Sequence, residues 1–427
     1  MEKRYGFSTL SVHAGNTIDQ TKSRAIPVYR TAAYLFDNTE HAANLFALKE
    51  PGNIYTRIMN PTQDVLEKRM AALEGGAAAI ALSSGTSAIF YSIINICKSG
   101  DEIVSGPNLY GGTYTMFNNI LPDLGIKTRF VDSGNPEDFK KAITSKTRAV
   151  YAETIGNPAL DVADIKAISK IASSNKLPLI VDSTFTTPYL FRPIEHGADI
   201  VVHSLTKWIG GHGTGIGGIV IDAGTFNWTN DKFTLYNNPD NSYHGIKWAS
   251  DLGEMNKIAF ALRLRTIPLR NLGACISPDN AWMFLQGIET LALRMERHSA
   301  NAQKVAEYLK SNDRAAWVRY PGLKEDPSYQ IASKQFKNGF GGMVVFGIKG
   351  GKEKGRGFIE NLKLFSHLAN VGDAKSLAIH PASTTHSQLS EEQQKSGGIS
   401  EDLIRLSIGI ENIEDILSDL EQALKKA

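Results

Sequence analysis

Ala198-Asp-Ile-Val-Val-His-Ser-Leu-Thr-Lys207-Trp-Ile-Gly-Gly-His-Gly-Thr-Gly-Ile-Gly-Gly-Ile-Val220 is the stretch on which the reading of this 427-residue chain turns. Its residues 200–202 form a short apolar run of the kind that makes a strand buried on both faces. The chain then turns polar through His203, Ser204 and Thr206, presents Lys207, and enters a glycine-dense loop before a second apolar run over 217–221. A lysine at the mouth of a strand, flanked by hydroxyls and glycines, can hold an aldehyde as a Schiff base beside a phosphate. Two other patterns overlap the same residues. Gly213-Thr-Gly215-Ile-Gly-Gly218 satisfies GxGxxG, but a dinucleotide site needs a helix next, and Ile219, Val220 and Ile221 follow instead. Ser204-Leu-Thr-Lys207 matches the SxxK of serine acylases, which require a KTG element that this chain lacks.

Outward from this stretch, apolar runs alternate with helical patterns. Strands are predicted over 77–82, 102–105, 126–131, 149–154 and 179–181. Helices are predicted from Asn60 and Pro61 to Gly75, after Ser83-Ser-Gly85-Thr86-Ser87, from Asn135, and over 164–174. This alternation predicts an α/β fold with a mainly parallel sheet covered on both faces and a site beyond the strands' carboxyl ends. Residues 1–60 read as an extended arm that reaches a neighbouring subunit, and 61–265 as the sheet domain, with an insertion near 223–265 that covers the site. Residues 266–427 read as a smaller α/β domain. Its long helix follows Pro278, its strands lie near 317–320, 342–348 and 365–369, and a closing helix starts at Asn412.

Composition narrows the function classes. Lys and Arg number 46 against 44 Asp and Glu, without a basic cluster, so neither nucleic acid nor a membrane surface is an expected partner. Cys97 and Cys275 lack CxxC spacing and read as reduced thiols, which fits a cytoplasmic protein, as does the absence of an apolar leader or membrane-length run. Among ten histidines, His203 with His212 and His380 with His386 form no HExxH or matched ligand set, so no metal is expected.

Polar residues gather at the predicted strand ends. The Ser-Gly-Thr turn can cradle an anion at a helix start, though such turns also cap helices without any ligand. Asp182 can cap its own turn, or face a protonated ring nitrogen, as pyridoxal phosphate requires. Tyr110, in the loop after its strand, can stack on that ring. Tyr55 and Arg57 share one side if the segment is extended; they read either as a core Tyr and surface Arg or as a phosphate grip. Arg405, inside an apolar strand pattern, needs a partner, either Glu401 or Glu411 or the α-carboxylate of an amino acid.

IYTRIMNPT, SSGTSA, NLYGGTY, ETIGNPAL, VDSTFTTP, HSLTKWIGGHG, HPASTTH and IRLSIGIE occur in this order. With them the whole chain resembles the Cys/Met-metabolism family of pyridoxal-phosphate enzymes. VHAGNTIDQ, SYHG and ANVGDAKSLAIHPASTTH are most similar to its branch that acts on O-acetylhomoserine with sulfide or a thiol. The resemblance implies fold type I, with a mainly parallel seven-stranded sheet domain, and pyridoxal 5′-phosphate as cofactor. Lys207 is then the Schiff-base lysine and Asp182 the partner of the ring nitrogen. Gly85, Thr86, Ser204 and Thr206 hold the phosphate, Tyr110 stacks, and Asn157 and Thr184 also contact the cofactor. Tyr55 and Arg57 enter from a neighbouring subunit of a homotetramer. Arg405, Asn370 and Ser376 bind substrate, and Lys207, Tyr110 and Tyr55 are the catalytic side chains. The implied reaction is γ-replacement, with free sulfide, a thiol or a sulfur-carrier protein as donor. The family's γ-lyases and cystathionine γ-synthase are the alternatives. Family lyases carry Ser-Leu-Gly-Asp where Asn370-Val-Gly-Asp373 stands here, which leaves the role of Asn370 open.

Overall fold

Local chemistry starts the architecture at Asn60. Its side chain accepts the Thr62 N–H (2.9 Å) and Pro61 supplies the first helical φ, so the helix Pro61–Glu74 begins there. Gly75, at φ 80°, ends it in the left-handed conformation. The computed structural model describes residues 5–16, 18, 20–384 and 398–427. Beyond that helix run β1 (Ala78–Leu82), β2 (Glu102–Ser105), β3 (Lys127–Phe130), β4 (Thr147–Glu153), β5 (Leu179–Asp182), β6 (Ile200–Ser204) and β7 (Gly218–Asp222). They form one seven-stranded sheet in the order β1-β7-β6-β5-β4-β2-β3. β7 is antiparallel to β1 and β6, and the other four pairings are parallel, so the mainly parallel sheet read from the sequence is present.

Alternate residues of each strand face opposite layers. Val150, Val181, Val201 and Ile219 join one buried apolar layer, while Tyr151, Ile180, Val202 and Val220 join the other. The segment after β7 contributes no lining residue to its own chain's cavity beyond the strand ends. Its aromatics Trp228, Phe233, Tyr236, Trp248 and Phe260 are buried in the second layer, with Trp228 stacked on Tyr236 at 4.4 Å. Rings of this size gain more from burial on the sheet face than from a polar cleft.

The first sixty residues are not uniformly extended. Helices Phe7–His13 and Thr39–Phe46 interrupt them. Phe7 and Leu10, at i and i+3, pack on the chain's own core, and Arg69 donates to Ala14 O (3.0 Å) and Asn16 Oδ1 (2.6 Å). Leu35, at 97 % exposure, still projects into solvent.

A second, smaller sheet contains β8 (Ala315–Arg319), β9 (Met343–Ile348), β10 (Ser366–His367), β11 (Leu377–Ile379) and β12 (Leu403–Ser407), in the order β10-β11-β12-β9-β8. The single helix expected after Pro278 is two, Pro278–Glu289 and Leu291–Lys310, broken at Thr290. The strand expected over 365–369 shrinks to β10, and β11 was not anticipated. Among the described residues, no helix is long and apolar enough to cross a membrane.

Candidate active site

Beyond the carboxyl ends of β4, β5 and β6 lies a cavity of about 480 Å³. Lys207 enters it from the turn after β6, where Gly210 N bonds Leu205 O and Gly211 N bonds Lys207 O, both at 2.8 Å. Its Nζ donates to Asn370 Oδ1 at 2.6 Å. Burial, and then the charge of Arg405, push the Lys207 ammonium down to about 8. Asn370, Val371 and Ala369 line the wall beside it.

The helix Gly85–Ile94 opens at the same cavity. Ser84 caps it by accepting the Ser87 N–H (3.0 Å), leaving the N–H groups of Gly85 and Thr86 outside the helix's own bonding. Residue 85 must be glycine, because a Cβ there would lie 2.7 Å from Ser204 Cβ. Ser204 and Thr206 also face the cavity. Thr184 Oγ1 accepts the Ser204 N–H (2.9 Å), joining the ends of β5 and β6, and Thr206 Oγ1 accepts the Gly217 N–H (3.1 Å).

Two carboxyls stand side by side on adjacent parallel strands, Glu153 of β4 in register with Asp182 of β5. Burial raises both above the usual carboxylate range, and the neighbouring Asp182 raises Glu153 further. Asp182 Oδ1 accepts the Thr184 N–H, and Glu153 Oε1 accepts the Tyr110 N–H, each at 2.9 Å. Tyr110 is half-exposed at the start of its own short helix. Arg405 is buried in β12 and donates through Nη1 to Asn157 Oδ1 (2.9 Å). Neither Glu401 nor Glu411 pairs with it, and among the described residues no carboxylate does. Burial pushes its guanidinium down to about 10.

Eleven of the side chains singled out in the sequence thus line one cavity: Gly85, Thr86, Tyr110, Asn157, Asp182, Thr184, Ser204, Thr206, Lys207, Asn370 and Arg405. Three do not. Ser376 is buried behind the wall, where its N–H and hydroxyl donate to Glu411 and its oxygen accepts the Gly409 N–H. Its one hydroxyl proton is committed to Glu411 within the fold. Tyr55 and Arg57 lie outside their own chain's cavity, exposed on a turn where the Arg57 guanidinium sits 5.0 Å from the Tyr55 ring centre. His380 bonds Ser383 and Glu401 O, and His386 lies outside the described residues. Glu153 and Phe185 were missed. The first ends β4 and opens ETIGNPAL, and only the strand-end rule applied to every strand would have found it.

An amine of low basicity, a buried carboxyl, a free helix N-terminus and two hydroxyls supply partners for the aldehyde, ring nitrogen and phosphate of pyridoxal phosphate, so the residues present fit that group. A sheet covered on both faces with this constellation at its strand ends defines a pyridoxal-phosphate-dependent enzyme. Residues 8–425 match the family model for Cys/Met metabolism PLP-dependent enzymes, and the chain belongs to that family. It is 56 % identical to an O-acetyl-L-homoserine sulfhydrylase of Leptospira meyeri, over 100 % of this chain and 98 % of the relative. It is 51 % identical to a homocysteine synthase of Schizosaccharomyces pombe, over 99 % and 98 %. Among solved structures it is similar to a candidate O-acetylhomoserine (thiol)-lyase of Campylobacter jejuni that holds a pyridoxyl-lysine phosphate, with TM-score 0.95 and 42 % identity over 99 % and 100 % of the two chains.

Proposed function

We propose that this enzyme catalyses γ-replacement, converting O-acetylhomoserine and sulfide to homocysteine and acetate, with methanethiol giving methionine instead. The observation that carries the reading is the Lys207 amine, lowered to about 8 and held by Asn370, in one cavity with Arg405 and Asp182. The names of the relatives support the same chemistry. Pyridoxal phosphate, when bound, supplies the electron sink that stabilises negative charge at Cα. Gly85, Thr86, Ser204 and Thr206 would hold its phosphate, Asp182 would partner its ring nitrogen, Tyr110 would stack on its ring, and Asn157 and Thr184 would complete the contacts.

Arg405 takes the substrate α-carboxylate with the donors that Asn157 leaves free. Lys207 removes the Cα proton and moves protons between Cα and Cβ; its depressed basicity leaves part of it neutral near physiological pH. Asn370 holds Nζ in place rather than touching substrate first. Tyr110 assists proton transfer as acetate leaves Cγ, and sulfide adds at that carbon. Tyr55 and Arg57 serve the site of a neighbouring subunit in a homotetramer, Tyr55 tuning Tyr110 and Arg57 gripping the phosphate; their exposure and distance from their own cavity support this. The cytoplasm is the proposed location, with free sulfide or a sulfur-carrier protein as donor.

A product assay tests the reaction. Homocysteine and acetate from O-acetylhomoserine with sulfide are expected, whereas α-ketobutyrate from methionine alone would assign a γ-lyase instead. Lys207→Ala is expected to abolish turnover and the visible absorbance of the lysine-bound cofactor, and retention of both would end this reading.

A further inference from the structure

One face of the helix Leu291–Lys310 is polar and yet buried. Arg294, His298 and Asn301, at i, i+4 and i+7, are 5 %, 0 % and 3 % exposed. Arg294 has no carboxylate partner among the described residues. It donates through Nη1 to Trp208 O (2.5 Å), through Nη2 to Gly287 O (2.6 Å) and Ile209 O (3.1 Å), and through Nε to Thr290 Oγ1 (3.4 Å). Trp208 and Ile209 directly follow Lys207. A Cβ on Gly211 would collide with this guanidinium, and one on Gly287 with Ile209 O, so the turn and both helices meet more closely than side chains permit.

The next residues along the same face grip the other sheet. His298 Nδ1 bonds Ile408 O (2.6 Å), and burial pushes the imidazole down to about 4, so the ring is neutral and Nδ1 carries its one proton. Asn301 Nδ2 donates to Gly409 O (3.0 Å) and Glu411 O (2.9 Å). These carbonyls follow β12 and lie three to six residues beyond Arg405. The loop carrying Asn370 spans the same two anchors, through Ala374 N to Gly211 O (2.8 Å) and Gly372 N to Ser407 Oγ (2.9 Å).

Desolvating a guanidinium without a counter-charge is costly, and an apolar side chain of similar length would fill the space. What an apolar side chain cannot do is bind three carbonyls of two separate segments at once. We infer that this helix face sets the spacing between the Lys207 turn and the Arg405 strand, with Arg294 a positioning residue for the lysine and His298 one for the arginine. The inference rests on the proposed roles of Lys207 and Arg405. Arg405 fixes where the carboxylate, and hence Cα, sits; Lys207 must meet that Cα in line. A displacement of about 1 Å between such groups costs on the order of a hundredfold in rate.

The test compares kinetic signatures in the cofactor-loaded enzyme. Arg294→Met is expected to lower kcat about 10- to 100-fold with KM for the amino-acid substrate within about threefold, and to alter the visible circular dichroism of the lysine-bound cofactor. His298→Leu is expected to raise that KM about tenfold with kcat within about threefold and the cofactor signal unchanged, and His298→Asn, which keeps a donor, to restore most of the loss. Should either apolar variant fail to fold, Arg294→Lys and His298→Ser, whose shorter side chain loses the reach to Ile408 O, carry the same comparison. Equal losses in kcat and KM from both sites, or wild-type kinetics in both, overturn the inference. Lys207→Ala run alongside separates the two levels, since loss of its absorbance together with no kinetic split would sink the spacing role alone.

Discussion

Asn370 is the residue to which the structure adds most. The resemblance placed it with the substrate and left its role open; in the structure it lines the cavity and its Oδ1 accepts from Lys207 Nζ at 2.6 Å, across 163 residues of chain. Uptake of pyridoxal phosphate by the cofactor-free protein needs the neutral amine, so its rate is expected to rise with pH through about 8. Asn370→Asp places a carboxylate against the ammonium and favours the charged form, so the midpoint is expected to move above 8 and uptake at pH 7 to slow; stopped-flow absorbance at several pH values measures both. A midpoint that stays put would mean that the 2.6 Å contact does not persist in solution. Lys207, Asp182 and Arg405 were legible because each is a charged residue in or beside an apolar strand. Glu153 has the same setting, but a terminal acid on a strand also reads as an ordinary surface residue until the register puts it next to Asp182.

At the scale of elements, the amino end of the sheet carries its own carboxyl pair. Asp222 of β7 lies opposite Ile200 and accepts N–H bonds from Gly224 and Ala261, and burial raises it to about 7. Asp199, just before β6, is raised to about 6. A carboxyl raised on folding binds more protons in the native state, so its contribution is fully present below the unfolded value of 3.8 and is lost as pH rises toward 7. Wild-type stability is therefore expected to fall between pH 5 and 7 more steeply than that of Asp222→Asn, the difference in slope reaching at most about 1.4 kcal/mol per pH unit. Denaturant titrations at stepped pH measure it, and parallel slopes would refute it. The cap of the 61–74 helix gives a second check. Asn60→Ala removes the bond to Thr62 N and the donations to Tyr29 O (2.8 Å) and Thr56 Oγ1 (3.1 Å), and is expected to cost about 1–2 kcal/mol in thermal or denaturant unfolding. Caps like this were readable from short sequence. The break at Thr290 and the three-residue β11 were not, since packing rather than propensity decides such short features.

For the whole molecule, the arm is the open end of the design. Tyr55 and Arg57 lie outside their own cavity, and the proposed tetramer uses them in a neighbour's. Co-expression of Lys207→Ala and Arg57→Ala subunits is expected to regain roughly a quarter of wild-type activity, because half of randomly formed pairs contain one intact site; no gain over the separate variants would confine each site to one chain. The sequence by itself determined the α/β alternation and the chemistry gathered at the strand ends, because apolar period and residue polarity act over a few neighbouring positions. Tertiary structure alone decided that Arg405 meets Asn157 rather than a glutamate, that Ser376 meets Glu411, and that Asn370 meets Lys207. Those pairings depend on strand register and on how two sheets pack across one helix, and such long-range geometry leaves no mark on local spacing.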